Sequence, residues 1–289
     1  MPSVNDARRA HPVLGFYGPD SMMWRINREA VLLGAGPAAL VLQVAHPLIA
    51  EGVAQHSSFE QDPWHRLHGT IRTTMDLVFG DGVHAERAVK RLNTVHAGVR
   101  GENYRAMDPR LLLWVQATLI VTSVAAYQRW VAPLSAEEIE RFWQEARAVG
   151  TRLGIPLSAS PADWPALQRY WADMLADDGP VHASPTARRL ARLIVRPPFP
   201  FVPGSLIDLA ALPGLALLPP RLRAEFDISW DPAKARLARG LGIAIRAWVK
   251  VIPVNLRSMP QARAAYRRVA AAGGAIERPP STTRTAPVT

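Results

Sequence analysis

A repeated dipeptide, an Asp or Ser followed directly by Pro, stands before one amphipathic or apolar stretch after another in this 289-residue chain. It occurs at Asp62-Pro63, Asp108-Pro109, Ser160-Pro161, Ser184-Pro185 and Asp231-Pro232. A short polar side chain caps the first N–H groups of a helix, and Pro fits the first helical position. Apolar residues at helical spacing follow each pair. This pattern predicts an all-α protein.

The periodicity also predicts the bounds of the helices. The predicted helices cover residues 38–54, 62–79, 84–99, 108–130, 135–153, 160–177, 184–195 and 231–252, with short ones inside 205–218 and at 261–272. Ser135-Ala136-Glu137-Glu138 is a capping box for the fifth of these. Because the connections are short, we expect one helical domain over residues 24–272. It would follow an N-terminal arm at 1–23 and precede a Pro-, Thr- and Arg-rich tail at 273–289, which we expect to be disordered.

One motif competes with the all-α prediction. Gly34-Ala35-Gly36-Pro37-Ala38-Ala39 fits the G-x-G-x-x-A spacing of a dinucleotide-binding turn. Such a turn belongs to alternating strands and helices around a parallel sheet, and no second strand follows here. We therefore expect the glycines to end one helix and Pro37 to begin the next.

Composition excludes several kinds of site. The chain has no cysteine, which excludes disulfides, zinc-thiolate sites, iron–sulfur clusters and cysteine nucleophiles. The formal charge is +10, from 34 Lys and Arg against 24 Asp and Glu, and nearly all of the cations are arginine. No Lys/Arg block with interleaved aromatic residues occurs, so nucleic acid is not an expected partner.

Two apolar stretches bear on membranes. The uncharged run at 111–126 contains Gln116 and Thr118 and is short for a span, so a buried core helix is expected. The Pro-rich stretch at 194–218 could lie on a bilayer, although a helix hairpin packed on the core is the alternative. No signal peptide is visible before Pro12. These features predict a cytoplasmic protein that could associate peripherally with membranes.

The histidines indicate where a site would lie. Seven of the eight precede residue 97, and they are His11, His46, His56, His65, His68, His84 and His96. Histidine is a common metal ligand and an acid or base near neutral pH. A non-haem metal site from His46, His56 and His96 is one reading, although HExxH or paired-carboxylate spacing is absent. We expect His11, His65, His84 and His182 to lie on the surface.

His96 shares a helix face with Leu92, Val95 and Val99 by its spacing. The small residues that follow it, Ala97 and Gly98, would let a flat and bulky group approach the backbone. A hydrogen-bonded core histidine is the alternative.

Arg66 and Thr70 form a second pair on the preceding helix, four residues apart and therefore on one face. A buried arginine beside a cavity requires an anionic partner such as a carboxylate. A haem would meet both requirements: its flat ring would lie against the helix of His96, which would be an axial ligand, and its propionates would pair with Arg66. A solvent-exposed helix face is the alternative for Arg66.

These residues belong to a longer pattern. Its pieces are Ala45-His46-Pro47-x-x-Ala50-x-Gly52-Val53, His56-Ser57, Arg66-x-x-x-Thr70, Phe79-Gly80, Val95-His96-x-x-Val99-x-Gly101, Tyr104-x-Ala106-x-Asp108-Pro109-x-Leu111-Leu112-x-Trp114-Val115 and Leu153-Gly154-Ile155-Pro156. Together they resemble the latex-clearing-protein-like, or MpaB-type, oxygenase family, firmly over residues 24–156 and loosely beyond.

The resemblance implies a globin-like, all-α domain around a haem b pocket. It implies His96 as the axial ligand of the iron, with Arg66 and Thr70 beside the haem in catalytic and cofactor-binding roles. His46 is implied as a pocket residue, although a structural histidine at a helix end is the alternative. Dioxygen and an apolar substrate, of the isoprenoid class, are the implied reactants. A haem carrier or sensor with the same site is the alternative function.

One position departs from the rubber-cleaving type. That type has a distal lysine just before the matched threonine, where this chain has Gly69. The adjacent His68 points about 100° away on a helix and is no simple replacement. Haem binding and oxygen chemistry are therefore implied here, and polyisoprene cleavage is not.

Overall fold

The structure, a computed structural model, describes residues 11–57, 62–198 and 202–273, without the side chains of residues 63–67. Fourteen α-helices and no β-strand occur in these ranges. In chain order they are α1 Met22–Asn27, α2 Gly36–Val44, α3 Pro47–His56, α4 Pro63–Phe79, α5 Gly82–Gly98, α6 Pro109–Trp130, α7 Ala136–Gly150, α8 Trp164–Met174, α9 Pro185–Val195, α10 Gly204–Leu215, α11 Pro220–Glu225, α12 Pro232–Val251, α13 Val254–Arg257 and α14 Pro260–Ala271. The all-α prediction is confirmed.

The Asp-Pro and Ser-Pro signals begin helices as expected, with one exception. Asp108, Ser184 and Asp231 cap α6, α9 and α12 with their side chains, and Pro occupies the next position. Ser135 and Glu138 form the predicted capping box of α7. The prediction at Ser160-Pro161 is wrong, because α8 begins at Trp164 with Asp163 as its cap.

α6 is the central helix. It packs against α2, α7 and α12, and twelve of its 22 residues are buried. Its Trp114 is fully buried, donates a hydrogen bond to the carbonyl oxygen of Leu42 at 3.0 Å and stacks on Trp171. By length and composition α6 could cross a membrane, while in this fold most of its most apolar stretch is enclosed by other helices. This burial is what the core-helix interpretation predicts.

A second core lies where α1 meets α4 and α14. Trp24 is fully buried there and donates its indole N–H to the carbonyl oxygen of Val78 at 2.8 Å. Its ring lies 5.6 Å from that of Phe79 and 5.0 Å from that of Tyr266. Tyr17 is buried in the same core, so residues of the expected N-terminal arm contribute to it. Residues 1–10, and the tail from 274 onward, lie outside the described residues.

The helix predicted over residues 38–54 is two helices. α2 ends at Val44, α3 begins at Pro47, and the chain bends by 104° across the break between the segments 30–44 and 47–56. The physical reason is Pro47, which has no N–H to continue α2 and excludes the helical conformation from the residue before it. His46 accordingly has extended dihedrals, φ −81° and ψ 117°.

The competing glycine motif is resolved as a helix junction. A 3₁₀ helix, Ala30–Ala35, runs directly into α2, with Pro37 in its first turn. α10 packs across this junction so closely that a Cβ on Gly214 would lie 2.2 Å from the carbonyl oxygen of Gly34. The glycines therefore serve helix packing, and no sheet surrounds them in the described ranges.

Candidate cofactor site

The site predicted from the sequence lies on a helical hairpin. α4 and α5 are joined by only Gly80 and Asp81 and pack along one another, as two antiparallel helices with a short connection do. His96 lies fourteen residues beyond the start of α5, and position 66 lies thirteen residues before the end of α4. At 1.5 Å per residue both lie roughly 20 Å from the turn, and Thr70 lies about 6 Å nearer to it than position 66.

His96 lies on the packed side of α5. Ala85, Val89, Leu92 and His96 follow one another at spacings of four, three and four residues, which places them on one face. Ala85 and Val89 are buried, Leu92 and His96 are half-buried, and Val95 is 51% exposed. Val95, which the spacing groups with His96, lies at the solvent-exposed edge of that face.

Thr70 lies at the exposed end of the corresponding face of α4. Thr73, one turn further along, is buried and donates its hydroxyl to the carbonyl oxygen of Gly69 at 2.8 Å. Thr70 itself is exposed. The backbone of position 66 belongs to α4, but the predicted role of the Arg66 side chain lies outside the described residues, as does the His65 side chain.

The surroundings of two glycines test whether haem fits this end of the hairpin. A Cβ added at Gly69 of α4 or at Gly98 of α5 would meet no atom of the described residues within 4 Å. Most glycines in the described chain have a neighbour within that distance. Ala97 and Gly98 are also exposed. These open positions leave room for a flat group beside His96, and His96 is the candidate ligand in a chain without thiolates.

Tyr104, in the loop after α5, connects the end of α5 to the end of α3. Its hydroxyl donates to Oε1 of Gln55 at 2.7 Å, and its ring fills the space beside two glycines. A Cβ on Gly101 would lie 2.4 Å from the Tyr104 ring, and one on Gly52 would lie 3.2 Å from it. Burial, and secondly the charge of Glu51, raise the pKa of Tyr104, so the phenol remains a donor.

His56 reinforces the same junction. Its Nε2 lies 3.0 Å from the carbonyl oxygen of Arg100, so the Nε2-protonated ring donates a hydrogen bond there. Its ring also meets Tyr104 edge-on at 6.3 Å. Two pieces of the sequence pattern, the end of α3 and the loop after α5, therefore meet around Tyr104. The sequence analysis assigned no role to Tyr104 or Gln55. The two glycines of the pattern, Gly52 and Gly101, were the sequence feature that could have indicated a bulky ring packed between them.

The other side of α5 is tied to the segment after α7. Asn93 donates its side-chain N–H to the carbonyl oxygen of Arg152 at 2.9 Å, and Arg152 pairs with Glu86. The Arg152 guanidinium also lies over the ring of Phe16. These contacts fix the rotation of α5 and hence the side to which His96 points.

His46 has a different set of neighbours. It lies at the α2–α3 break, where burial lowers its pKa, and the charge of His182 lowers it further. Asp108 and Arg110 are its other electrostatic neighbours, and its Nδ1 is buried with no hydrogen-bond partner in the described structure. The backbone N–H of His182 donates to the carbonyl oxygen of Ala45 at 2.9 Å.

The remaining predictions about histidines concern the surface and metals. His11, His84 and His182 are exposed, as expected. Within the residues that the structure describes, no group of three or more His, Asp or Glu side chains is placed to hold a metal ion. The geometry thus gives no such group for the non-haem site proposed from His46, His56 and His96.

Comparison with known proteins places this helical body in a family. Residues 23–247 match the family described as ER-bound oxygenase mpaB/B′/Rubber oxygenase, catalytic domain. Two mycobacterial proteins are also similar, Uncharacterized protein Rv2237 of Mycobacterium tuberculosis and Uncharacterized protein Mb2261 of Mycobacterium bovis. Each is 29% identical over 231 residues, which cover 75% of this chain and 89% of the relative. No solved structure matches the chain.

The matched region runs from α1 into α12 and contains the whole α4–α5 hairpin. It covers most of the chain, and the resemblance read from the sequence pattern is confirmed. The protein therefore belongs to the family of mpaB and rubber oxygenase catalytic domains.

Proposed function

We propose that this protein is a haem b-dependent oxygenase that uses dioxygen to oxidise an apolar substrate, and that His96 would bind the iron. The observation that carries the proposal is the position of His96, half-buried on the packed side of α5 and level with position 66 of α4. The family match supports the oxygenase activity.

The proposed site would draw on a base at His96, a hydroxyl at Thr70 and the cation of Arg66, three positions of the α4–α5 hairpin. The neutral imidazole of His96 would bind the iron, and the packing and hydrogen bonds around Tyr104 would keep the end of its helix in place. Haem, when bound, supplies the iron centre at which dioxygen is activated. The hydroxyl of Thr70 would donate a hydrogen bond to oxygen or water, and the guanidinium of Arg66 would pair with a propionate.

This chain has Gly69 at the position where, by the resemblance, the rubber-cleaving type has a lysine. Glycine provides no amine that could bind the iron. The hydroxyl of Thr70, the next residue of α4, is the polar group that we propose in its place. The family description names a rubber oxygenase, and rubber is an apolar isoprenoid polymer. We extend only the substrate class, an apolar and unsaturated molecule of isoprenoid type, to this chain.

The test is the visible spectrum of the full chain produced with haem supplied. We expect a Soret band with about one haem per chain, and His96→Ala should lose it. His84→Ala is the matched control, because His84 lies at the opposite end of α5 and its side chain is 58% exposed. His96→Gly should recover the band when free imidazole is added, which distinguishes lost ligation from lost folding.

Oxygen consumption separates the oxygenase from a haem carrier or sensor. The haem-loaded chain should consume dioxygen only when an unsaturated isoprenoid is present, and Thr70→Val should slow this reaction without removing the Soret band. A Soret band that His96→Ala leaves unchanged would overturn the ligand assignment. A haem-loaded protein that consumes no oxygen with any isoprenoid would overturn the catalytic part.

A further inference from the structure

An apolar stripe runs along the solvent side of α12. Leu237, Ala244, Trp248 and Val251 lie at spacings of seven, four and three residues and share one face. All four are exposed, Trp248 to 52% and Val251 to 80%. Exposed apolar residues scattered singly require no explanation, but a continuous stripe of them marks an interaction surface.

The stripe continues beyond the end of α12. Val254 and Leu256 of the short α13 are exposed as well. An apolar groove of about 620 Å³ lies between α12, α13 and the 3₁₀ helix before α2, lined among others by Val31, Ile245 and Leu256. The neighbouring α10 packs against α12 and presents exposed Leu206 and Leu209. The sequence analysis gave membrane contact as one possibility for the Pro-rich stretch at 194–218. Its exposed leucines border this surface, whereas Ala211–Leu215 is buried.

A basic stripe lies beside the apolar one on α12. Arg236, Arg239, Arg246 and Lys250 follow one another at helical spacing, and three of the four are exposed. None of them pairs with a carboxylate in the part of the chain that the structure describes. Residues 232–273 contain no Asp or Glu, while their basic residues are Lys234, Arg236, Arg239, Arg246, Lys250, Arg257, Arg263, Arg267 and Arg268.

We propose that the α12–α13 surface, defined as the exposed residues of 236–256, docks the protein on an anionic lipid surface. The apolar stripe would enter the boundary between headgroups and acyl chains, where Trp is at its most favourable. The basic stripe would lie over the headgroups and attract their negative charge. Apolar and basic stripes side by side on one helix are what an interfacial helix requires.

The charges argue against a second copy of this chain as the occupant. A two-fold dimer brings the same patch of both subunits together, so the basic stripes would face one another without any carboxylate between them. Like charges placed in this way destabilise an interface. An anionic bilayer instead complements the stripe along its whole length.

The lack of cysteine provides a direct test. Val251→Cys gives the full chain a single thiol, which can carry an environment-sensitive fluorophore such as NBD. Vesicles of phosphatidylcholine with 30% phosphatidylglycerol should shift the emission to the blue and raise it severalfold. Pure phosphatidylcholine should give a much smaller change. The control is the same label at Val83→Cys, because Val83 is 56% exposed on α5 and should not respond.

A charge variant tests the basic stripe. Each basic residue near an anionic membrane contributes about fivefold in affinity. Arg236→Gln, Arg239→Gln and Lys250→Gln combined should therefore weaken binding in a vesicle sedimentation assay by at least about tenfold. The matched control replaces Arg87, Lys90 and Arg91, three exposed cations of α5, by Gln. High salt should weaken binding of the wild type more than binding of the α12 variant.

Three results would overturn the proposal. The first is equal binding to neutral and anionic vesicles, and the second is an equal loss in the α5 and α12 variants. The third is an emission change that depends on protein concentration without vesicles, which would identify a second copy as the occupant. The assays use neither haem nor turnover, so their outcome is independent of the proposed oxygenase chemistry.

Discussion

Tyr104 donates its phenolic hydrogen to Gln55 at 2.7 Å and so joins the end of α3 to the loop that follows the helix of His96. Tyr104→Phe should remove this hydrogen bond and keep the packing. We expect a loss of about 1 kcal/mol in the free energy of unfolding, measured by urea denaturation. Haem occupancy should be nearly unchanged, because the ring still fills the space beside Gly52 and Gly101.

Gly101→Ala should have a larger effect than the loss of this hydrogen bond. Its Cβ would lie 2.4 Å from the Tyr104 ring, so the ring or the loop must move. We expect a destabilisation of about 1–3 kcal/mol together with lower haem occupancy, read from the ratio of Soret to protein absorbance. Gly240→Ala is the control, because a Cβ there meets nothing within 4 Å. A normal haem content in Gly101→Ala would show that the loop does not position α5.

Gly69 lies inside α4, and no described residue would touch a side chain there. Two substitutions at this position have different expected effects. Gly69→Ala should stabilise the protein by about 0.5–1 kcal/mol, since Ala is a better helix former and meets no neighbour. Thermal unfolding measures this. Gly69→Lys should instead change the spectrum of the haem-loaded protein toward a six-coordinate, low-spin form. An unchanged spectrum would show that position 69 does not face the haem.

His46 should make the protein less stable in mild acid. Burial lowers its pKa in the folded state, so the unfolded chain takes up the proton first as the pH falls. Its contribution is therefore fully present above its unfolded pKa of about 6.5 and is lost as the pH falls through the folded value. His46→Gln should lose less stability than the wild type between pH 8 and pH 5.5. A wild-type slope in His46→Gln would contradict the assignment.

Glu29 gives a pH dependence of the opposite sign. This carboxylate is 1% exposed and accepts hydrogen bonds from Arg257 at 2.7 Å and Arg28 at 3.3 Å. Burial raises its pKa, and the two arginines oppose this only in part. Its contribution is thus present below its unfolded pKa and lost as the pH rises through the folded one. The stability of the wild type relative to Glu29→Gln should fall between pH 4.5 and pH 7.

The helices were largely predictable because their start signals are local. A cap such as Asp231 followed by Pro232 acts on its own first turn, whatever the rest of the chain does. The break at Pro47 was missed because apolar residues continue at helical spacing on both sides of it. The short α1 and α11 were missed because six residues give too little periodicity to recognise.

The site was predictable only in part, for a related reason. His96 stood out through its own helix, since spacing defines a face. Which neighbour that face meets depends on contacts between residues distant in sequence. Spacing placed Val95 and His96 on one face, but in the fold Val95 is exposed while His96 is half-buried. The pairing of Tyr104 with Gln55 joins residues 49 positions apart, and no local pattern encodes it.

The corner at His46 and Pro47 limits how the chain can change in length. α2 is fastened to α6 through the carbonyl oxygen of Leu42, and α3 is fastened to the loop after α5 through Gln55. One residue inserted between Leu42 and Gln55 would rotate one attachment by about 100° relative to the other. Relatives and engineered variants should therefore keep this spacing of thirteen residues, and accept added residues in exposed turns such as the one around Asp178.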